Sequence, residues 1–184
     1  MTVPQKVVEL VERFDRNVET YKSIPYVVIG NPPWISLTGK FGIGIYPESE
    51  VEYLIHKFSG NTYMPNMYEY FVAQGIRLIV ENGYFGYIVP DRLGFNSQFI
   101  DLRREILKRT QVVSLIYKVP FPRITADTLI FVLQRNNNPI LNTSVDIGEY
   151  GKECLQIPQI EFNKNSDYSF QYYESIDIRS WRLP

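Results

Sequence analysis

The chain of 184 residues has one cysteine, Cys154, and one histidine, His56. A single cysteine excludes an intrachain disulfide and a cysteine-rich metal site. A single histidine excludes a multi-histidine zinc site and leaves one residue for any Ser–His or Cys–His pair. We expect no resident metal, His56 as an ordinary polar residue, and Cys154 as a thiol without a redox role. Long hydrophobic runs are missing too, and no signal peptide opens the chain, so the expectation is a soluble, cytoplasmic protein with no membrane partner. Charge of one sign is also scarce: the formal net charge is -1. A stand-alone nucleic-acid binder is usually more basic, so if this chain meets DNA, most of the phosphate-binding charge lies elsewhere.

What is present is apolar and aromatic. Hydrophobic residues make up 45%, charged residues 21% and aromatics 15%, with Tyr 14 and Phe 11. That suits one domain with a sizeable core, and a surface able to stack on flat ligands. Residues 1–22 read as a helix with Val7, Leu10, Val11, Phe14 and Val18 on one face. Val27–Ile29 reads as a buried strand ending at Gly30. A stretch with Gly39, Gly42 and Gly44 reads as a loop, and Glu50–Phe58 as a short helix. Asn66 should cap a helix from Met67 to about Glu81, closed by a left-handed Asn82-Gly83 cap. Tyr84–Val89 reads as a strand stopped by Pro90. Asn96 should cap a third helix, with Phe99, Leu102 and Ile106 inward and Arg103, Arg104, Lys108 and Arg109 facing solvent or a partner. Val112–Val119 and Thr128–Leu133 read as two more strands.

This order predicts an α/β fold: three strands in a right-handed parallel sheet with helices, then an antiparallel pair, because the last connection is too short for a crossover helix. We place residues 1–136 in this unit. Residues 137–184 are expected as short strands or extended chain wrapping it.

The most informative stretch is Gly30-Asn31-Pro32-Pro33-Trp34. Neither proline can donate to a sheet ladder, so the strand stops. Each also holds the residue before it extended. An amide and an indole are therefore fixed at a strand's C-terminal edge, where open α/β sheets bind ligands. The bland alternative is a turn with a packed Trp.

Val28-Ile29-Gly30-Asn31-Pro32-Pro33-Trp34 resembles the catalytic motif of amino-methyltransferases acting on adenine in DNA, in which Asp, Asn or Ser precedes Pro-Pro and an aromatic. The nearest resemblance is to large restriction–modification methylases of type IIG and relatives. Met67–Phe71, the run Asn82–Pro90, Leu102–Leu107, and Phe121 ahead of Thr128–Leu133 are similar to that family's later elements, in order. The resemblance spans roughly residues 24–135, with Trp34 standing where Tyr is commoner.

The resemblance implies part of a class I, Rossmann-like methyltransferase sheet and a site-specific DNA adenine-N6 methyltransferase. An exocyclic adenine amine is a poor nucleophile because its lone pair is delocalised into the ring. Asn31 offers a side-chain carbonyl and Pro32 a backbone carbonyl to accept both amine hydrogens, with Pro33 fixing the geometry, a preorganised electrostatic arrangement without a general base. Asn rather than Ser at the first position favours adenine over the cytosine amine. The base must be flipped out of the duplex at a cost of a few kcal/mol. Trp34 can stack on one face and Phe121 close over the other, at roughly 1–3 kcal/mol per stacked base. Phe121 reads equally as a core residue in a kinked strand. Arg92, Lys118 and Arg123 lie near strand ends and are candidate phosphate contacts, or plain solvated charges. Asp91 is a candidate pocket residue.

The family's methyl donor is S-adenosylmethionine, held by a Gly-containing loop and acidic strand ends. Only 30 residues precede Asn31, and none of them carries that motif. The expectation is therefore a catalytic-half fragment, inactive alone, partnered by double-stranded DNA and by donor-binding and target-recognition regions of a parent protein. One sheet edge or face should be open, making self-association plausible. Two other classes stand beside this reading: a methyltransferase acting on a protein glutamine or another amine, and a non-catalytic docking module of methylase fold.

Overall fold

The structure is a computed structural model, and it describes residues 26–37, 46–60, 62–121 and 125–171. The predicted helix over 1–22, the three loop glycines and Arg123 lie outside the described residues. The elements are β1 (Val27–Gly30), α1 (Glu48–Phe58), α2 (Met67–Leu78), β2 (Tyr84–Pro90), 3-10 turns at Asp91–Gly94 and Ser97–Phe99, α3 (Ile100–Arg109), β3 (Thr110–Tyr117), β4 (Thr128–Arg135), β5 (Ser144–Glu149), β6 (Leu155–Pro158) and α4 (Ile160–Lys164). The six strands form one sheet in the order β1-β2-β4-β3-β5-β6.

The expected α/β architecture is what is found. β1 and β2 pair in parallel, while β4 lies antiparallel to both β2 and β3. β3 therefore runs in the same direction as β1 and β2 but is not their neighbour: β4 is inserted between β2 and β3. The expected antiparallel pairing of the last two strands holds. Residues beyond 140 carry two further strands into the same sheet, β5 parallel to β3 and β6 antiparallel to β5.

The described helices that touch the sheet cover one face of it. On that face lie Phe85 and Val89 of β2, Leu129, Phe131 and Leu133 of β4, and Leu115 of β3, all essentially inaccessible. Leu102, Ile106 and Leu107 of α3 and Phe162 of α4 join the same cluster. Burial of each such side chain contributes about 1.5–3 kcal/mol. α2 approaches β2 so closely at Gly75 that an added Cβ would sit 2.4 Å from the Phe85 ring. α1 packs outside α2 through Val51, Leu54 and Phe58 against Met67 and Tyr70.

Four sequence expectations need correction. β1 is not the buried strand expected: Val27 is 52% and Ile29 82% exposed, because no described element packs on that side of the strand. The second helix ends at Leu78, not near Glu81; Ile79 is extended and 4% exposed, pulled out of the helix into the core. Arg135 donates to the Ile76 carbonyl at 3.2 Å, satisfying a helix-end acceptor. Asn82 is left-handed (φ 65), but in the tight turn leading into β2. Asn66 does not cap this helix; its side chain donates to the Met64 carbonyl at 2.8 Å instead. Arg103 does not face solvent. It is 0% exposed, and its guanidinium holds the carbonyls of Leu93, Asn96 and Asp167. Asn96 does cap as expected, accepting from the Gln98 N–H at 3.0 Å, though a 3-10 turn precedes α3 itself.

Buried polar groups also fasten the C-terminal part to the sheet. β3 shifts register between Val112 and Ser114. Gln159, 0% exposed, fills this irregularity: its carbonyl accepts from the Val112 N–H at 2.7 Å and from Gln111 at 2.6 Å. The Phe170 N–H donates to the Gly94 carbonyl at 2.8 Å, and Phe170 packs edge-on to Phe162. Among the described residues no helix is long and apolar enough to cross a membrane.

Candidate active site

β1, β2 and β3 run in the same direction, so their C-terminal ends share one edge of the sheet. The Asn31–Trp34 corner leaves that edge directly from β1. Gly30 is paired with Tyr87, whose ring lies so close that an added Cβ would be 3.0 Å from it. A side chain here would require the Tyr87 ring to shift by a few tenths of an ångström. Asn31 is exposed, Pro32 buried, and Pro33 and Trp34 half-buried. The arm after the corner is pinned to the start of α2. The Leu37 N–H donates to the Pro65 carbonyl and the Met67 N–H to the Ile35 carbonyl, both at 2.9 Å, and Ser36 bridges to Asn66. The corner is thus held on both sides while its amide stays open to solvent.

Trp34 packs against the main core and meets Phe121, with ring centroids 5.4 Å apart and planes at 40°. The structure brings together two aromatics that stand far apart in sequence. A base sandwiched between two rings needs two stacking intervals, about 6.8 Å at about 3.4 Å each. The pair as seen is in direct contact and is too close to hold a base between its faces. The Trp34 Nε1–H is inaccessible and has no hydrogen-bond partner among the described residues.

The candidate basic residues differ. Arg92 is exposed, in the 3-10 turn just after β2. Lys118 follows β3 in a left-handed conformation (φ 56) and is ion-paired with Glu149, which also meets Lys152 at 2.5 Å. The charge of Lys118 is therefore already shared. Asp91, half-buried after Pro90, has its carboxyl pushed above the usual range by burial and by Asp127, against the opposing pull of Arg92. It lines a hollow of about 420 Å³ with Tyr117, Lys118, Gly148, Glu149 and Lys152. Sequence reasoning did not find Glu149, Lys152 or Asp127 here; no local signal joins them, because only the parallel register of Tyr117 with Glu149 brings β5 alongside. Among the described residues no His, Cys, Asp and Glu group could hold a metal ion.

Hydrogen bonds from Lys118 and then Lys152 hold the Glu149 carboxyl down at about 2. A depressed carboxylate favours the fold above its ordinary value of 4.5, and that contribution is lost as pH falls toward the folded value. Exposed pairs of this kind are worth little in stability, so the effect to look for is the titration. In Lys118→Met the Glu149 carboxyl should titrate at higher pH, short of 4.5 because Lys152 remains. A carboxyl titration followed by NMR checks this; an unmoved midpoint would show that Lys118 is not the governing partner.

In sequence, residues 16–120 match the Eco57I restriction-modification methylase family. The chain belongs to that family. No curated protein matches it. In structure, this Eco57I-family chain is similar to a Listeria monocytogenes protein assigned as a class I S-adenosylmethionine-dependent methyltransferase. The TM-score is 0.53 at 19% identity, over 72% of this chain and 39% of that one. It is similar to the protein of the DrdV–DNA complex, with a TM-score of 0.61 at 13% identity, over 89% of this chain and 20% of that one. It is also similar to the ATP-dependent Type ISP restriction-modification enzyme LlaBIII bound to DNA, with a TM-score of 0.58 at 14% identity, over 90% of this chain and 14% of that one. At these identities the likeness is one of fold: a class I methyltransferase-like sheet. The Eco57I-family chain spans well under half of each relative's length.

Proposed function

We propose that this chain carries the amine-binding part of an S-adenosylmethionine-dependent DNA adenine-N6 methyltransferase of a type IIG-like restriction–modification system, working in the cytoplasm. The observation that carries the reading is the corner: Asn31, exposed on a braced backbone at the sheet's ligand-binding edge, with Trp34 and Phe121 ring to ring beside it. In this reading the Asn31 side-chain carbonyl and the Pro32 backbone carbonyl accept the two hydrogens of the target amine. That keeps the nitrogen lone pair available and needs no general base. The flipped base stacks on Trp34, and Phe121 moves aside and covers its other face. The family match and the DNA-bound structures of similar fold support DNA as the substrate.

S-adenosylmethionine, when bound, supplies the electrophilic methyl group. The groups this corner brings together are an amide, two prolines and two aromatic rings. They include no carboxylate for ribose hydroxyls and no glycine loop, so they do not fit the donor. We assign donor binding and sequence reading to other segments of a longer protein, the extra length of the similar structures supporting this. Arg92 is the better candidate for a phosphate contact, since Lys118 is ion-paired; Arg123 remains a third.

The test uses the full-length protein, duplex DNA and methyl-labelled donor. We expect label in N6-methyladenine after DNA digestion and mass spectrometry. Label in cytosine, or in protein glutamine with none in DNA, would overturn the assignment.

A further inference from the structure

β5 pairs in parallel with β3, so its C-terminal end reaches the same edge of the sheet as the Asn31 corner. Two lysines meet one carboxylate there. Lys118 comes from the end of β3 and Lys152 from the turn after β5, and both are ion-paired with Glu149. The backbone is shaped to bring them together. Lys118 holds a left-handed conformation (φ 56), a strained state for a residue with a side chain and one that clusters at functional sites. Gly151 takes a left-handed position (φ 76) in the turn that the Lys152 N–H closes on the Glu149 carbonyl at 3.0 Å. The Tyr150 N–H ties that turn to the Tyr117 carbonyl of β3 at 2.9 Å.

The form of the group identifies its other occupant. Lys118 meets Oε1 of Glu149 and Lys152 meets Oε2, so one negative charge on two oxygens bridges two ammonium groups. A DNA phosphodiester offers the same: one negative charge on two free oxygens. The lysine side chains are 59% and 69% exposed. Exposed pairs contribute little to stability, so stability does not account for the arrangement, and another anion can displace the carboxylate at small cost. Asp91 and Glu153 also line the hollow beside the group, so its charge balance turns on which anion holds the lysines. β3 and β5 are the third and fourth neighbours of β1 in the sheet. At about 4.8 Å per strand they lie about 14–19 Å along the edge from the corner. That is about four to six base pairs at about 3.4 Å each, within reach of a duplex whose base enters at Asn31. Arg92, exposed after β2, stands between them.

We infer that Glu149 holds the place of a DNA backbone phosphate: its carboxylate keeps Lys118 and Lys152 together in the free protein, and a phosphodiester of the bound duplex replaces it. This rests on the reading of DNA as the substrate. It gives Lys118 a use that its ion pair withholds in the free chain, where Arg92 is the exposed cation.

Fluorescence anisotropy of a labelled duplex of arbitrary sequence, titrated with the full-length protein over a range of salt, tests it, because the phosphate contribution is independent of sequence and sensitive to salt. Glu149→Gln keeps the shape of the side chain and removes the competing charge. Its dissociation constant should fall about two- to fivefold at low salt, and the gain should shrink as salt rises. The gain should vanish when Lys118→Met and Lys152→Met are present as well. Glu161→Gln removes the same charge from another exposed pair, with Lys164 on α4 at the opposite edge of the sheet, and should give no such gain. Unchanged or weaker binding in Glu149→Gln, a gain that survives loss of both lysines, or an equal gain in Glu161→Gln overturns the inference while leaving DNA as the substrate. A parent protein that binds no duplex at any salt removes DNA as the substrate, and this inference with it.

Discussion

Asn31→Ala in the full-length enzyme should reduce methyl transfer by about a hundred- to a thousandfold while leaving the fold unchanged, the loss typical of deleting one preorganised hydrogen-bonding group from a reacting centre. The structure makes the two halves of this expectation separable. Asn31 is exposed and makes no packing contribution to either core cluster, so its truncation should move stability by no more than about 0.5 kcal/mol. The corner is held by other groups: buried Pro32, the Gly30–Tyr87 contact, and the hydrogen bonds that tie Ile35 and Leu37 to the start of α2. DNA should still bind, because Trp34 and Phe121 remain to stack on the base. The deficit should therefore fall on kcat and leave KM nearly unchanged. Asn31→Asp, which keeps an acceptor oxygen at the same place, should retain more activity than the alanine variant. Single-turnover transfer, measured with DNA binding, distinguishes the outcomes. Wild-type turnover in Asn31→Ala would remove Asn31 from the mechanism, and equal loss of DNA binding would make it a binding residue.

Arg103→Met should lower stability by about 3–5 kcal/mol. Arg103 is completely buried, yet it is not an ordinary ion pair. Its Nη1 donates to the carbonyls of Leu93 and Asn96, both at 2.9 Å, and its Nη2 and Nε donate to the Asp167 carbonyl at 2.8 and 3.2 Å. Burial pushes the guanidinium below its usual value, opposed by the Asp167 carboxylate. One side chain thereby joins α3, the turn after β2, and the segment that returns after α4. Methionine keeps most of the apolar stem but strands three carbonyls, each costing about 1–3 kcal/mol. In a chain of this size each kcal/mol lowers Tm by about 2–4 °C, so a fall of about 6–20 °C is expected. Arg103→Lys should rescue little, since one ammonium cannot reach carbonyls on both sides of a planar fork. Thermal and urea denaturation measure this. A Tm within a degree or two of the parent would mean that the carbonyls find water or other donors.

The comparison between the two residues shows how far the sequence could be read. Asn31 was legible because its setting is local: β-branched residues make the strand, two prolines stop it, and the aromatic follows at once. Most elements were legible for the same reason, as in Tyr84–Pro90 and in the Asn96 cap. Arg103 was misread because its neighbours Arg104, Lys108 and Arg109 form a basic run that looks like a solvated helix face. Three carbonyls from elsewhere in the chain make its burial possible, and no periodicity reports them. The Asn66 cap failed for a local reason instead: its amide donates to the Met64 carbonyl two residues back.

The sequence alone determined the chemistry on offer: one histidine, one cysteine, and an amide between a strand and two prolines. Those follow from residue identity and steric limits on neighbouring residues. It also determined the directions of β3 and β4, because a short connection allows only an antiparallel return. Only the tertiary structure decided that β4 lies between β2 and β3, that β5 brings Glu149 against Lys118, and that Phe121 reaches Trp34. Each of these depends on strand register between distant segments, where the energy comes from shared burial that no local stretch encodes. The same holds for β1: its β-branched residues read as a buried strand, and only the packing of the helices decides that Val27 and Ile29 stay exposed.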